Sequence, residues 1–412
     1  MNSSRPIRVV FLSFYIEAWD ALADIYSQML ADPRFEPTVI SIPRRLTGET
    51  DYSGEDRVSE FYDSQNVAHL RFDFDNSKVG LEKLRELAPD YVFLNYPWQR
   101  NYQPGYRAEQ LSEFTKVCQV PYYSFALVNE PGDDGVAPYL YTQRSHQLSS
   151  LIFTQDAAVV DAYSRTSRGN SHVHLTGSPK LDSLVSRAVA KPHDRYTLVW
   201  APHHSYSPHW LNFGTFASMH QEMLDFAKRH TDIDIVMRPH PFMFGTLVER
   251  KVVGEAELSR WLEDWNALPN TRIETGGDFA EIFMSCDLLL TDGISFIGEY
   301  PLVANKPAVY LENKDHWKFS PIGEIAVEAN WRISEFSEFV ERFDEIRQNG
   351  LGDYSAQIAR LRAAASPYPG ESAARIIEIV ANDFAAETPL VDKSKITELA
   401  WEFGPDREPL VD

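Results

Sequence analysis

The chain has 412 residues, 43% of them hydrophobic and 24% charged, which is a globular balance at a length too great for one ordinary core. A net charge of −21 excludes general nucleic-acid binding, which needs a basic footprint, and disfavours simple electrostatic docking on anionic lipid. Two cysteines, Cys118 and Cys286, exclude a disulfide framework and fit a reducing cytoplasm.

Short apolar runs alternate with helical patterns in chain order. The opening MNSSRPIRVVFLSFYIEAWD lacks the long apolar region of a signal peptide, and no run approaches the ~20 apolar residues of a membrane span. In the first half, residues 8–12 read as a strand, 17–31 as a helix, 37–41 as a strand, 81–87 as a helix and 91–94 as a strand. Residues 121–125, 150–153 and 172–175 complete that set of strands. The polar linker at 190–194 precedes a restart of the pattern. Strands are expected at 196–201, 233–237, 271–273, 288–291 and 307–311. Helices are expected at 213–228, 255–266, 278–285 and from Ser295 to about Ala304. The 213–228 stretch places Phe213, Phe216, Met219, Met223 and Phe226 on one 3.6-residue stripe. From Ser334 onward the pattern is mostly helical, and 387–412 reads as a polar tail.

This alternation predicts an α/β chain with two facing doubly wound, Rossmann-type domains, an interdomain cleft and a helical C-terminal segment. The expected limits are 1–190 for the N-terminal Rossmann-like domain, 191–386 for the C-terminal one and 387–412 for the tail.

Three motifs of the second half each follow an apolar strand, so a parallel sheet delivers all three to one edge. The first is Trp200-Ala201-Pro202-His203-His204-Ser205. The second is Arg238-Pro239-His240-Pro241. The third is Thr291-Asp292-Gly293-Ile294-Ser295-Phe296-Ile297-Gly298-Glu299-Tyr300. In the third, Gly293 allows a tight turn and Ser295 is a plausible N-cap, whose helix start forms an anion site. Glu299 lies one turn on, placed to accept hydrogen bonds from a ribose. Arg238 and His240 are two apart in an extended, proline-stiffened segment, a pair suited to a phosphate. The competing reading is a capped helix with a solvated Glu299 and a surface turn with an Arg238–carboxylate pair. Metal binding by His203, His204, His209 and His240 matches no zinc spacing, so no metal is expected. In the first half, Thr176-Gly177-Ser178-Pro179-Lys180-Leu181-Asp182 is a strand-turn-helix element, read either as a ligand loop through Gly177 and Ser178 or as a connector.

Taken in order, TGSPKLD, WAPHHS, RPHP, SCDLLLTDGISFIGEY and NKPAVYL resemble the CDP-glycerol glycerophosphotransferase family of teichoic-acid and capsule-polymer enzymes. The resemblance covers roughly residues 172–311 in detail and the first 170 in general layout. It implies a GT-B fold and transfer of an alditol phosphate from a CDP-activated donor to an acceptor hydroxyl, releasing CMP. By position, His240 with Arg238 would contact the donor phosphate and assist the leaving group. Asp292, Ser295 and the neighbouring amides at Gly293 and Phe296 would hold the CDP pyrophosphate, and Glu299 the donor's ribose; Ser205, Gly177 and Ser178 are further candidates for the donor from their strand-end positions. Lys306 would be structural. The His-Gly-Thr-Pro motif of many members is missing, which leaves the base among Glu130, His203 and His204. TGSPKLD also resembles the UDP-GlcNAc 2-epimerases, another GT-B group.

The expectation is therefore a cytoplasmic transferase acting on a CDP-alditol or nucleotide-sugar donor, with a glycan or polyol-phosphate acceptor. Contact with the membrane would be peripheral, at the inner face. The alternatives are a GT-B glycosyltransferase or epimerase-like enzyme, and a non-catalytic nucleotide-binding subunit.

Overall fold

The computed structural model describes residues 5–45, 49, 51–128, 143–190, 192–207 and 211–396. They form two compact units. One comprises Met1–Ser124, Val136–Ser183 and Ser366–Asp412, and the other Phe125–Gly135 and Leu184–Ala365.

The first domain holds seven strands: β1 Ile7–Leu12, β2 Phe35–Ser41, β3 His69–Arg71, β4 Tyr91–Leu94, β5 Lys116–Gln119, β6 Leu151–Thr154 and β7 Val173–Leu175. Their order is β3-β2-β1-β4-β5-β6-β7, and every pairing is parallel. Both faces of β1 are covered. Val9 and Phe11 pack toward the Asp20–Ala31 helix, while Val10 and Leu12 enter a separate cluster with Val92, Leu94 and Tyr102. Burial on both faces explains why β1 reads as an unbroken apolar run instead of an alternating one.

The second domain has six strands: β8 Thr197–Ala201, β9 Asp234–Met237, β10 Thr271–Ile273, β11 Leu288–Thr291, β12 Val309–Leu311 and β13 Trp331–Ile333. Their order is β10-β9-β8-β11-β12-β13, again with every pairing parallel. Leu198 and Trp200 face one core cluster, and Val199 and Ala201 the other. Strand order reverses between β8 and β11, and the carboxyl ends of such a switch point are where doubly wound sheets bind ligands.

Several expectations change. The C-terminal boundary moves, because Ala373, Ile376, Ile377 and Val380 of the Ser372–Ala385 helix join the core of the first domain. That helix carries its own apolar stripe, and the Asp20–Ala31 helix offers the complementary one through Leu22 and Ile25. The strand expected at 121–125 is instead β5 at Lys116–Gln119. Pro121 has no N–H to give a ladder, so the chain turns there. Strands β3 and β13, three residues each, carry no periodicity long enough to read.

Candidate active site

Strands β9, β8 and β11 are consecutive neighbours, so their carboxyl tips stand side by side. The pairing of β8 with β9 continues past both strand ends: Arg238 N–H donates to the Trp200 carbonyl at 2.7 Å, and His240 N–H to the Pro202 carbonyl at 3.1 Å. Three imidazoles are thereby gathered. The rings of His204 and His240 stack, with centroids 3.7 Å apart and planes 20° apart. His203 lies 4.6 Å from His204 and 5.7 Å from His240.

All three rings are half-buried and neutral near pH 7. Loss of solvation lowers His203 to about 4, because it penalises the cationic form. Burial is also the main cause for His204 and His240, which lie well below the ordinary value, and the neighbouring imidazoles add to it. Two of the tautomers follow from the hydrogen bonds. Ser205 Oγ accepts from Phe213 N–H at 2.9 Å, so its proton is directed to His203 Nδ1 at 2.8 Å. His240 Nδ1 accepts from Phe242 N–H at 3.2 Å. With Nδ1 an acceptor in both, His203 and His240 carry their proton on Nε2 and present it as a donor.

Beside them begins the helix Ile294–Ala304. Its N-cap is Gly293, at φ −85° and ψ 134°, and no side chain caps it. Ser295, expected as the cap, lies inside the first turn and is exposed. Gly293 is not there for a left-handed turn. A Cβ on it would come within a tight 3.3 Å of Thr291 Oγ1 and into ordinary contact with His203 Cδ2 at 3.7 Å, which places the helix start directly beside His203. Among the described residues, the N–H groups of Ile294, Ser295 and Phe296 have no protein acceptor. Three unfilled donors at the positive end of a helix attract an anion.

Other expected donor contacts are spent on the protein itself. The Asp292 carboxylate is 2% exposed and accepts from His203 N–H at 2.6 Å, Thr215 N–H at 2.6 Å and Thr215 Oγ–H at 2.8 Å. It ties the β8 tip to the start of the Phe216–Arg229 helix and positions His203 instead of facing a pyrophosphate. Burial raises it to about 6 despite those donors. Arg238 is 6% exposed; its guanidinium donates to the Gly276 and Gly277 carbonyls and lies 5.0 Å over the Phe279 ring. It holds the loop after β10 and does not reach for a phosphate beside His240. Phe296 packs edge-on against Phe279 and Phe283, which makes it a core contact. Glu299, one turn on from the exposed Ser295, is 1% exposed, so its carboxylate is buried in the domain and is not solvated.

Gly177 and Ser178 belong to the first domain. Gly177 adopts φ +89°, and a Cβ there would meet Ser372 Oγ at 2.4 Å. Ser178 Oγ accepts from Leu181 N–H at 3.2 Å, and the Asp182 carboxylate accepts from the N–H groups of Gly370 and Ser372. TGSPKLD thus docks the returning C-terminal chain. Glu130 and His209 lie outside the described residues. Among those described, no group of three or more His, Cys, Asp or Glu side chains is arranged to hold a metal, and no helix is long and apolar enough to cross a membrane. Sequence reasoning missed Thr215 and Phe242: Phe242 bonds through its backbone N–H, which leaves no mark on residue type, and Thr215 meets Asp292 through both N–H and hydroxyl across 77 positions of chain.

No family model matches the chain, and no curated protein matches it. Solved structures do. UDP-GlcNAc 2-epimerase from Neisseria meningitidis bound to UDP-GlcNAc matches with a TM-score of 0.57 and 13% identity, over 92% of this chain and 100% of the other. The Methanocaldococcus jannaschii UDP-GlcNAc 2-epimerase in complex with UDP-GlcNAc and UDP gives 0.56 and 14%, over 92% and 99%. The wall teichoic acid polymerase TagF gives 0.56 and 12%, over 93% and 91%. At such identities the likeness concerns the fold: two parallel-sheet, Rossmann-like domains of the GT-B type.

Proposed function

We propose that the chain transfers an alditol phosphate from a CDP-activated donor to an acceptor hydroxyl, releasing CMP. The observation that carries this reading is the juxtaposition of His203, stacked His204 and His240, and the uncapped helix start at Gly293. The acceptor oxygen would form a bond to the distal phosphorus while the bond to the CMP oxygen breaks. Such transfer needs in-line positioning and stabilisation of charge on phosphoryl oxygens more than covalent help. The Nε2–H groups of His203 and His240 would donate to those oxygens, with the N–H groups of Ile294, Ser295 and Phe296 holding the other phosphate. His204 or Glu130 would take the acceptor proton. A bound diphosphate would pull His203 and His240 toward their charged form, so binding would take up protons, while Arg250 acts to keep His204 neutral. The reaction would run on the cytoplasmic side, with any membrane contact peripheral, at the inner face.

A second reading is a nucleotide-sugar enzyme, supported by the fold likeness to epimerases whose structures hold UDP-GlcNAc. Thermal-shift titration with CDP-glycerol, CDP-ribitol and UDP-GlcNAc separates the two, because ligand that binds the native state raises its melting temperature. Stabilisation by a CDP-alditol followed by acceptor-dependent CMP release is expected. His240→Ala should lower that release by roughly 10²–10³-fold, the usual cost of one oxyanion donor. Stabilisation by UDP-GlcNAc alone would replace the proposal with the second reading. Binding without turnover would leave a nucleotide-binding subunit.

A further inference from the structure

The first domain carries a feature that donor chemistry leaves unused. Tyr15 follows the tip of β1, Tyr96 that of β4, and Tyr122 and Tyr123 that of β5. These strands are consecutive, and their register pairs Phe11 with Phe93 and Leu94 with Gln119. Residues two to four beyond those positions therefore arrive together on the carboxyl edge. The rings meet there, with centroids 4.7 Å apart for Tyr15 and Tyr96, 5.1 Å for Tyr96 and Tyr122, and 5.2 Å for Tyr122 and Tyr123. The Trp98 side chain hydrogen-bonds to Tyr122.

The cluster is not simply core. Tyr96 is 7% exposed, but Tyr15, Trp98, Tyr122 and Tyr123 all keep part of their surface open. It also rests on a fixed polar base. Asn95, fully buried, donates to the Ala18 carbonyl at 3.1 Å and accepts from Ser13 Oγ–H at 3.1 Å, which locks the β1 and β4 tips to each other.

We propose that these rings are a stacking platform for a pyranose of the acceptor, so the acceptor is a glycan and not an acyclic polyol chain; this rests on the transferase reading above. A pyranose has one face of C–H bonds, which packs on the electron-rich face of an aromatic ring while its hydroxyls stay in water. An acyclic polyol has no flat apolar face to offer. Charge points the same way: the chain carries −21 overall, and among the described residues Lys180 acts electrostatically on Tyr122 while Arg44, which acts on Tyr15, is already paired with Glu17. A polyphosphate chain would find little to balance it, whereas a neutral sugar needs no balance.

Saturation-transfer NMR on the full chain tests this with methyl β-D-glucopyranoside and methyl N-acetyl-β-D-glucosaminide, and glycerol 3-phosphate as the acyclic control. Both pyranosides should receive saturation and glycerol 3-phosphate none. Tyr123→Leu should weaken pyranoside binding about tenfold, with Tyr123→Trp restoring it, since a stacked ring contributes on that scale. Stabilisation by CDP-glycerol should be the same in both variants. No saturation of either pyranoside, equal binding by Tyr123→Leu, or saturation of glycerol 3-phosphate in their place overturns the proposal. Loss of nucleotide stabilisation in folded Tyr123→Leu would mark a nucleobase site and overturns it too. The NMR signals are read without any nucleotide, so failure of the donor reading leaves this result legible.

Discussion

Asp292→Ala is the perturbation whose effect the structure fixes most closely. The wild-type carboxylate satisfies three buried donors, on His203, on the Thr215 backbone and on the Thr215 hydroxyl. Removing it strands all three, at about 1–3 kcal/mol each, or roughly 6 kcal/mol together. Against this, the carboxylate is itself costly when charged. Its rise from 3.8 to about 6 is the excess of the burial penalty over what its donors return, about 3 kcal/mol at neutral pH, and the alanine removes that excess. The net loss is therefore about 3 kcal/mol at pH 7. The sign of the pH dependence is the sharper test. A folded-state value raised above the unfolded one contributes stability that is full below 3.8 and lost as pH rises through 6. The wild type thus gains on the order of 1 kcal/mol from this group between pH 7 and pH 5, and the variant gains nothing. Amide hydrogen exchange of the segment containing Thr215, read at both pH values, measures the difference. Exchange there should accelerate roughly 100-fold at pH 7 and about tenfold further at pH 5, after correction for intrinsic rates. A difference between variant and wild type that stays flat or shrinks on acidification would refute the assignment of Asp292 as a buried staple.

Other outcomes follow from the same geometry. His146 and His172, each lowered to about 3 by burial, contribute stability that is present above 6.5 and lost as pH falls toward 3. Exchange of β7 should therefore accelerate through that window, at up to about 1.4 kcal/mol per pH unit for each group. His203 acts in the same direction between 6.5 and about 4, so CDP-glycerol should bind more tightly at pH 6 than at pH 8, because the bound diphosphate draws protons onto the imidazoles. Isothermal titration in two buffers of different ionisation heat reads that uptake directly. In Gly323→Ala, the new Cβ would stand 2.0 Å from the Leu127 carbonyl oxygen, which also accepts from Ser320 N–H at 2.9 Å. The overpacking should cost about 1–3 kcal/mol and expose residues 125–128 to proteolysis. Arg238→Lys loses the planar fork on the Gly276 and Gly277 carbonyls. Exchange at Gly277 should rise while the stacked His204 and His240 keep their NMR shifts; altered imidazole shifts would mean that Arg238 acts on the site directly.

The sequence alone determined the two parallel sheets. Buried strands between helices must be apolar on both faces, and that leaves continuous runs such as Val9-Val10-Phe11-Leu12 that need no partner to be read. It determined the gathering of WAPHHS, RPHP and TDGISF as well, because parallel strands send every following loop to one edge. Tertiary structure decided which way each side chain on that edge was spent. Arg238 and Asp292 have the residue types of a phosphate site, yet both are buried and consumed by backbone groups from loops about 40 to 90 positions away. The neutrality of the three histidines likewise comes from burial, which no spacing encodes. The return of Ala373, Ile376 and Val380 to the first domain is of the same kind. An amphipathic helix announces its apolar stripe, but only the folded chain provides the surface that covers it.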